Sequence, residues 1–241
     1  YDRTNGYTSG GVTLSYETFK MTQDRGRGFD IDAMDVDESN FLVTAGNVMG
    51  EFQRTKVIPE IDLYRWNAIY TQANTKKHVT AAALTKDNIL EALDDDITAV
   101  EDKAGTHNGL VIVMSTLTSA LLDQAIPKQL NPVEFTAGQL HTNVQAYNDI
   151  PIIKVSSARM KTTVTKDDST KVITGGGKDI HWLIFPQFAP IAVSKTDTVR
   201  IFDPMTYQKA NSWHIDYRKF HDIWIPENRM DAIYAHTEAT A

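Results

Sequence analysis

The chain has 241 residues, of which 41% are hydrophobic and 23% are charged, and it contains no cysteine. This length and balance predict one large domain or two closely associated ones, and the missing cysteines exclude disulfides and thiolate metal sites. The net charge of -7 argues against a surface that grips nucleic-acid phosphates, because such surfaces are usually basic. No apolar stretch approaches the roughly 20 residues that span a bilayer, so we expect no membrane partner.

The first 34 residues predict strands ahead of any helix. Residues 12–22 are rich in β-branched and aromatic types and predict one long strand, which at about 3.3 Å per residue would reach roughly 36 Å. We interpret residues 23–28 as a turn or a crossing, and residues 29–34 alternate apolar and polar types as a second strand does. A free edge of this kind is a liability in a monomer. Either a neighbouring subunit covers it or it pairs with the C-terminal strands of its own domain.

A long helix is predicted next. Asp35 and Glu38 are spaced as a capping box, which places its start at Asp35. Pro59 interrupts the pattern, so the helix either kinks or restarts there, and it fades near Ala73. Its apolar stripe before the proline consists of residues at helical spacing, namely Phe41, Ala45, Val48, Met49 and Phe52.

The middle of the chain predicts an α/β subdomain. Thr85 is placed to cap a helix that continues to about Lys103 and ends at Gly105. The apolar stripe of that helix is Ile89, Leu93, Ile97 and Val100. The apolar runs 110–114 and 150–155 are typical of buried strands.

The rest of the chain predicts one more helix and several short strands. Residues 115–125 form the helix, with Pro127 and Pro132 in a loop behind it, and the polar, glycine-rich residues 161–178 form an exposed hairpin or flexible loop. The strand predictions that follow are residues 180–185, 199–202, 212–217, 221–225 and 230–235.

Several patterns invite a chemical interpretation, and each fails a specific requirement. An EF-hand loop starting at Asp30 would need glycine and glutamate where Asp35 and Phe41 stand. The three consecutive carboxylates 94–96 fan out around a helix and indicate a solvated face. The run 175–178 lacks the flanking residues of a phosphate loop and indicates a flexible turn.

No site for chemistry is therefore predicted. The seven histidines show no H-E-x-x-H spacing, and His214 and His221 fall on different predicted strands. We predict no catalytic residue, no cofactor-binding residue, no metal ligand and no cofactor, and a protein that is not an enzyme. A hydrolase or metal-dependent enzyme that uses the scattered Asp and His residues is the alternative from another class.

Three segments, in this order, resemble a family of tailed-bacteriophage major capsid proteins with the Hong Kong 97 fold. They are residues 22–27 (TQDRGR), 32–38 (DAMDVDE) and 50–62 (GEFQRTKVIPEID), the last followed by Tyr64-Arg65. The match is dense over residues 12–70, and the rest of the chain agrees in element order and length.

The resemblance implies an α+β, Hong Kong 97-type capsid fold with an extended loop, a long spine helix, a peripheral domain and an axial α/β domain. Residues 1–34 would be the distal part of the extended loop and the strand that enters the body. Residues 35–75 would be the peripheral domain with its spine helix, and residues 76–194 the axial domain. Residues 195–241 would return mainly to the peripheral domain, and the outgoing strand of the loop would precede Tyr1.

The function that the resemblance implies is a structural one. The chain would be a subunit of an icosahedral phage capsid that self-assembles into hexamers and pentamers around the packaged DNA genome. Its partners would be other copies of itself, together with a scaffold, a portal and a maturation protease. It would also lie close to the packaged DNA without binding it specifically. It would be located in the virion after assembly in the bacterial host cytoplasm. The alternative is an encapsulin-like shell protein of a cellular nanocompartment, although the segments QDRGR and FQRTKVIPE favour the phage version.

Five residues of the N-terminal region are candidates for contacts between subunits. Tyr16 and Phe19 could bury apolar surface on a neighbour, and Arg25 and Arg27 could pair with its carboxylates. Exposed ion pairs contribute only about 0–1 kcal/mol each, so we expect the apolar contacts to dominate. Tyr7 completes the set.

Overall fold

A computed structural model describes residues 3–4, 6–7, 10–38, 44–105, 109–126, 132–137, 140–169 and 171–239. Strands and helices both contribute large parts of it. The strands are β1 (Gln23–Asp32), β2 (Val79–Ala81), β3 (Leu110–Ser115), β4 (Pro132–Ala137), β5 (Leu140–Tyr147), β6 (Ile150–Val155), β7 (Lys161–Lys166), β8 (Ile173–Pro186), β9 (Ile191–Phe202), β10 (Ser212–Trp224) and β11 (Tyr234–Thr237). The helices are α1 (Ala33–Glu38), α2 (Ala45–Phe52), α3 (Ile58–Thr75), α4 (Ile89–Ala104) and α5 (Thr116–Ala125).

One continuous helix joins α2 to α3 through a π-helical turn, Gln53–Val57. At about 1.5 Å per residue it is roughly 46 Å long. Pro59 neither ends nor restarts it. A proline lacks an N–H and crowds the carbonyl one turn earlier, and the wider π-helical turn lies at that position.

The predicted start of this helix at Asp35 is wrong. Asp35 lies inside the separate short helix α1, because Asp32 already accepts a hydrogen bond from the Met34 amide at 2.8 Å and begins a turn there. The long helix begins after Thr44, whose hydroxyl oxygen accepts from the amide of Asn47. Phe41 of the predicted stripe lies outside the described residues.

A three-stranded antiparallel sheet, in the order β1-β10-β9, packs its apolar face on α2. The core of this contact contains Met49, Ile215 and Tyr217, and the rings of Phe29 and Phe52 meet edge to face at 4.7 Å. The stripe predicted for α2 is therefore confirmed for its described members. They are Ala45, Val48, Met49 and Phe52.

The larger sheet has the order β2-β11-β8-β3-β6-β5-β4, and β7 pairs with β8. Every residue of β3 is buried. Val111 and Val113 face the core formed with α3, whereas Ile112 and Met114 face the core formed with α4 and α5. The strand predicted at 110–114 is thus confirmed as a central one, covered on both faces.

The amphipathic helix predicted from Thr85 is confirmed as α4, but it begins at Ile89. The Asn88 side chain accepts a hydrogen bond from the Thr85 amide, and residues 86–88 form a turn instead of a first helical turn. The stripe residues are all buried, and Gly105 ends the helix with a φ of 65°. A left-handed residue of this kind is a common helix terminator.

The N-terminal strand predictions are displaced along the chain. Residues 12–22 are neither strand nor helix, whereas residues 23–28, predicted as a turn or a crossing, form the first half of β1 and pair with β10. The β-branched composition of residues 12–22 could not form a strand without a partner, since strand stability comes from neighbouring strands. Gly26 suits the sheet because a Cβ there would lie 3.3 Å from the backbone oxygen of Tyr217.

The C-terminal strand predictions are too short or misplaced. Residues 212–217 and 221–225, predicted as separate strands, belong largely to the single strand β10, which has a register shift between Phe220 and His221. Residues 227–232 are a 3-10 helix, and β11 follows in the larger sheet. Pro132 opens strand β4 instead of lying in a loop, which is allowed because proline is tolerated at the first residue of a strand.

The hairpin predicted at 161–178 is confirmed as β7 and the first half of β8. Its glycines are not a flexible turn, however, because they lie in β8 close to α3. A Cβ at Gly175 would lie 2.9 Å from a methyl carbon of Leu63, and Gly177 has a φ of +73°. The glycine run therefore allows the hairpin to approach the long helix.

Candidate intersubunit surfaces

Several strongly exposed apolar side chains lie on residues 10–22, which we call the arm. Val12, Leu14 and Tyr16 are 98%, 71% and 85% exposed. Side chains two residues apart point to the same side of an extended backbone. An extended arm would therefore present one apolar edge to whatever lies beside it. Tyr7, ahead of the arm, is also exposed.

The end of the arm nearest the body, which we call the root, is held by β10. The Phe19 ring stacks on Trp224 with a centroid separation of 5.8 Å and an interplanar angle of 14°. The Thr22 amide and hydroxyl both donate to one carboxylate oxygen of Asp222, at 2.7 and 3.0 Å. The arm therefore leaves the body from a fixed point, although Phe19 is still 39% exposed.

The two candidate arginines differ in their surroundings. Arg25 lies on β1 and makes a two-point ion pair with Glu60 of α3, at 2.7 and 3.1 Å, and it also donates to the backbone carbonyl of Lys171 in the hairpin. The charge of Arg25 is therefore paired within its own chain. Arg27 is exposed on β1. Of the two, only Arg27 presents its charge outward.

A second apolar surface follows the outer strand of the small sheet. Val199 and Ile201 lie on β9, opposite Tyr217 and Ile215 of β10, and so share the sheet face that α2 covers. They are nevertheless 39% and 50% exposed. Among the described strands, β9 has a neighbour only on its β10 side. Its outer edge and this part of its face are therefore available to another chain.

Charged residues on the opposite face of the small sheet pair within the chain. Arg218 binds Asp24 through two hydrogen bonds, at 3.0 and 2.6 Å. The hydrogen bond from Arg218 lowers the pKa of Asp24. His214 lies between Asp30 and Asp216, and the hydrogen bond with Asp30 is the main reason that the pKa of His214 is raised. His214 and His221 lie on one strand, contrary to the prediction.

A buried polar group lies on α4, beside the larger sheet, where the sequence indicated a solvated face. Asp94 and Asp95 are exposed, but Asp96 is only 4% exposed. The Trp182 indole N–H donates to Asp96 at 2.9 Å and the Thr80 hydroxyl donates at 3.2 Å. Burial raises the pKa of Asp96 to about 7, although both hydrogen bonds act in the opposite direction.

A buried histidine, His236, and its half-buried neighbour His181 lie beside the same tryptophan. The His236 ring is fully buried, 5.4 Å from the His181 ring and 4.4 Å from the Trp182 ring between centroids. Burial, followed by the neighbouring His181, lowers the pKa of His236 to about 4. Both histidines are therefore mainly neutral at pH 7, and their contribution is to packing.

The described residues contain no group of three His, Asp or Glu side chains that could hold a metal ion. Over the same ranges, no helix has both the length and the apolar character needed to cross a bilayer. His107 lies outside the described residues. Exposed apolar side chains lie on the arm and along the β9 edge.

The residues that hold the root were not predicted from the sequence. They are Glu60, Tyr64, Asp222 and Trp224. One signal was present, because Asp222 is a carboxylate beside the apolar residues 223–225. Buried carboxylates need hydrogen-bond donors, but the sequence does not say that the donors Thr22 and Tyr64 lie 200 and 158 residues away.

No protein-family model matches the chain, and no curated protein matches it. Its fold matches solved structures. It matches a chain from the mature capsid of bacteriophage PhiM1 with a TM-score of 0.59 at 16% identity, over 98% of this chain and 80% of that one. It matches a chain of Mycobacterium phage Che8 with a TM-score of 0.56 at 13% identity, over 93% of this chain and 76% of that one. It matches a chain of the virus-like particle from Pyrococcus furiosus with a TM-score of 0.51 at 11% identity, over 92% of this chain and 79% of that one. At such identities the likeness is one of fold.

Proposed function

We propose that this chain, which has the α+β, Hong Kong 97-type fold, is a structural subunit of an icosahedral phage capsid. It would self-assemble into hexamers and pentamers that enclose the packaged DNA genome. The observation that carries the proposal is the arm, whose apolar side chains are exposed although its root is firmly held. The likeness in fold to a chain of the PhiM1 mature capsid supports the same function.

The arm gains most of its binding energy from apolar contact with a second copy. Burying a side chain such as Val12, Leu14 or Tyr16 contributes about 1.5–3 kcal/mol. The exposed edge of β9, with Val199 and Ile201 beside it, offers backbone hydrogen bonds and apolar surface to such a segment. Arg27 adds an exposed charge, worth about 0–1 kcal/mol if it pairs with a carboxylate. Tyr7 and Phe19 extend the contact on either side.

The domain division that we propose follows the two sheets. Residues 1–34 belong to the extended loop and the strand that enters the body, and residues 35–75 contain the spine helix of the peripheral domain. Residues 76–194 form most of the axial domain. The return strand β10 joins the small sheet, whereas β11 pairs with β2 and β8 in the larger one. The last strand therefore ties the chain end to the axial domain.

Its partners, in this proposal, are first other copies of the same chain. Scaffold, portal and maturation protease would meet it during assembly in the bacterial host cytoplasm, and the mature product is the virion. Contact with the packaged DNA would be non-specific, in keeping with the net charge of -7. The subunit would bind and not catalyse.

A second candidate is the shell of a cellular nanocompartment. The likeness in fold to the virus-like particle from Pyrococcus furiosus favours it. The two candidates differ in what a purified particle contains. A phage capsid is indicated if the particles contain protected DNA that is released only when the particles are disrupted. A nanocompartment is indicated if they contain a second protein and no DNA.

The experiment that tests the arm replaces Val12, Leu14 and Tyr16 together with serine in the full protein. Sedimentation velocity should then show loss of particles, with subunits of unchanged circular dichroism. The matched control is Met205→Ser, because Met205 is 97% exposed but lies outside the arm. Particles that form equally well from the triple variant would contradict the proposal.

A further inference from the structure

The root of the arm is built around one buried carboxylate. Asp222 is 1% exposed and accepts four hydrogen bonds. Two come from the Thr22 amide and hydroxyl, one from the Tyr64 hydroxyl at 2.7 Å and one from the Ile223 amide at 2.8 Å. An ionised carboxylate can accept four such bonds. Every acceptor position of Asp222 is therefore used.

This carboxylate interrupts the pairing of two strands. In the antiparallel register Gln23 lies opposite His221, so Thr22 would be the next residue to pair, opposite Asp222. The Thr22 amide instead donates to the Asp222 side chain. The ladder ends there, while β10 continues to pair with β9 as far as Trp224. The side chain thus turns the arm out of the sheet at Thr22.

The same contact ties the root to the long helix. Tyr64 lies on α3, four residues after Glu60, so both side chains are on one face of the helix. Glu60 binds Arg25 of β1, three residues beyond Thr22. The helix therefore holds the start of β1 at one point and the end of the arm at another, which restrains direction as well as position.

We propose that Asp222 is a positioning residue that sets the direction in which the arm leaves the body. This inference rests on the proposed function of the arm as the contact with a second copy. The part of the arm from Val12 to Thr22, 11 residues, would be about 36 Å long when extended, at about 3.3 Å per residue. A rotation of about 20° at its root would move its tip by about 12 Å, which exceeds two spacings between neighbouring strands. A free root would thus scatter the arm over many wrong registers.

The test measures direction in the unassembled chain. The chain has no cysteine, so spin labels can be placed at Thr18→Cys, near the root, and at Glu91→Cys, on the exposed side of α4. Pulsed electron resonance should give a single narrow distance distribution. Adding Asp222→Ala should remove the single maximum and broaden the distribution.

The matched control is Asp197→Ala. Asp197 also accepts from a tyrosine hydroxyl and from a second donor of the same sheet, but its partners are Tyr217 and Lys219, away from the arm. It should leave the distribution narrow. If Asp222→Ala does not fold, Tyr64→Phe, which removes one hydroxyl, decides by the same measurement. The inference would be overturned if folded Asp222→Ala kept the narrow, unmoved distance distribution of the parent. If only Tyr64→Phe folds, the same result in that variant would overturn it. A broad distribution in the parent protein would also overturn it.

The assembly readout is separate. Folded Asp222→Ala protein should lose particle formation in sedimentation velocity, whereas Asp94→Ala, which removes the acceptor of the Tyr147 hydroxyl outside the small sheet, should retain it. Asp222→Ala protein that still forms particles as the parent does would overturn the positioning role. If the parent forms no particles but shows a narrow distribution that Asp222→Ala broadens, the positioning role stands and the proposed function fails.

Discussion

Replacing the buried carboxylate of α4 by Asp96→Asn should stabilise the protein increasingly as pH rises. The amide oxygen can accept from Trp182, and the amide N–H can donate to the Thr80 hydroxyl, which is able to accept. Both hydrogen bonds of the parent site can thus be replaced without a charge. The variant therefore isolates the cost of ionising a buried aspartate.

The magnitude follows from the two pKa values. In the folded chain the pKa of Asp96 is about 7, whereas its ordinary value is 3.8. Between these values the folded state holds a proton that the unfolded state releases, so the parent loses stability as pH rises, until both states are ionised above about 7. At about 1.4 kcal/mol per pH unit, the advantage of the asparagine variant should grow by about 3 kcal/mol between pH 5 and pH 8.

Urea unfolding, followed by circular dichroism at several pH values, gives the free energy of unfolding for both proteins. The quantity to compare is the difference in free energy of unfolding between variant and parent, because the contributions of the other titrating groups cancel in that difference. Asp102→Asn is the control, since Asp102 is exposed on the same helix and is not adjacent to Asp96, and its difference should not grow. A difference for Asp96→Asn that stays constant from pH 5 to pH 8 would refute the reasoning.

Three further predictions concern packing, the hairpin and acid stability. Leu93→Ala, at a fully buried position of α4, should lower the free energy of unfolding by about 2–5 kcal/mol in urea titrations. Gly177→Ala should cost about 1–3 kcal/mol because φ is +73° and the new Cβ would approach a threonine hydroxyl; Gly46→Ala, with open space around it, should cost nothing. The pKa of His236 is about 4 instead of 6.5, so stability falls as pH drops from 6.5 to 4. Over that range the free energy of unfolding of His236→Phe should fall by about 3 kcal/mol less than that of the parent. An equal fall in both proteins would contradict the lowered pKa of His236.

The helices that cover the larger sheet could be predicted because their apolar residues repeat at 3.6-residue spacing. In α4 that spacing also includes Asp96, three residues after Leu93 and four before Val100. The position of Asp96 on the buried face could therefore be predicted from the sequence, although three adjacent carboxylates are typical of a solvated face. Its burial follows from the helix period, and its partner Trp182 does not.

The N-terminal region shows the opposite limit. Composition placed a strand at residues 12–22, whereas the pairing is at Gln23–Asp32, because strands form where a partner lies. The partner, β10, is almost 200 residues further along the chain. The bonds from Thr22 and Tyr64 to Asp222 depend on the same long-range pairing. A local pattern carries no information on such contacts, so the exposed arm was anticipated but its root was not.

The central claim is that this chain builds closed shells through its arm. Negative-stain electron microscopy of the full protein, expressed alone and together with the products of neighbouring genes, tests it most directly. Uniform closed particles, lost on deletion of residues 1–16, which keeps the contacts of Phe19 and Thr22 with β10, while the melting temperature of the body stays nearly unchanged, are the expected result. Protein that remains a dispersed monomer under both conditions would contradict the account, as would particles that still form after this deletion.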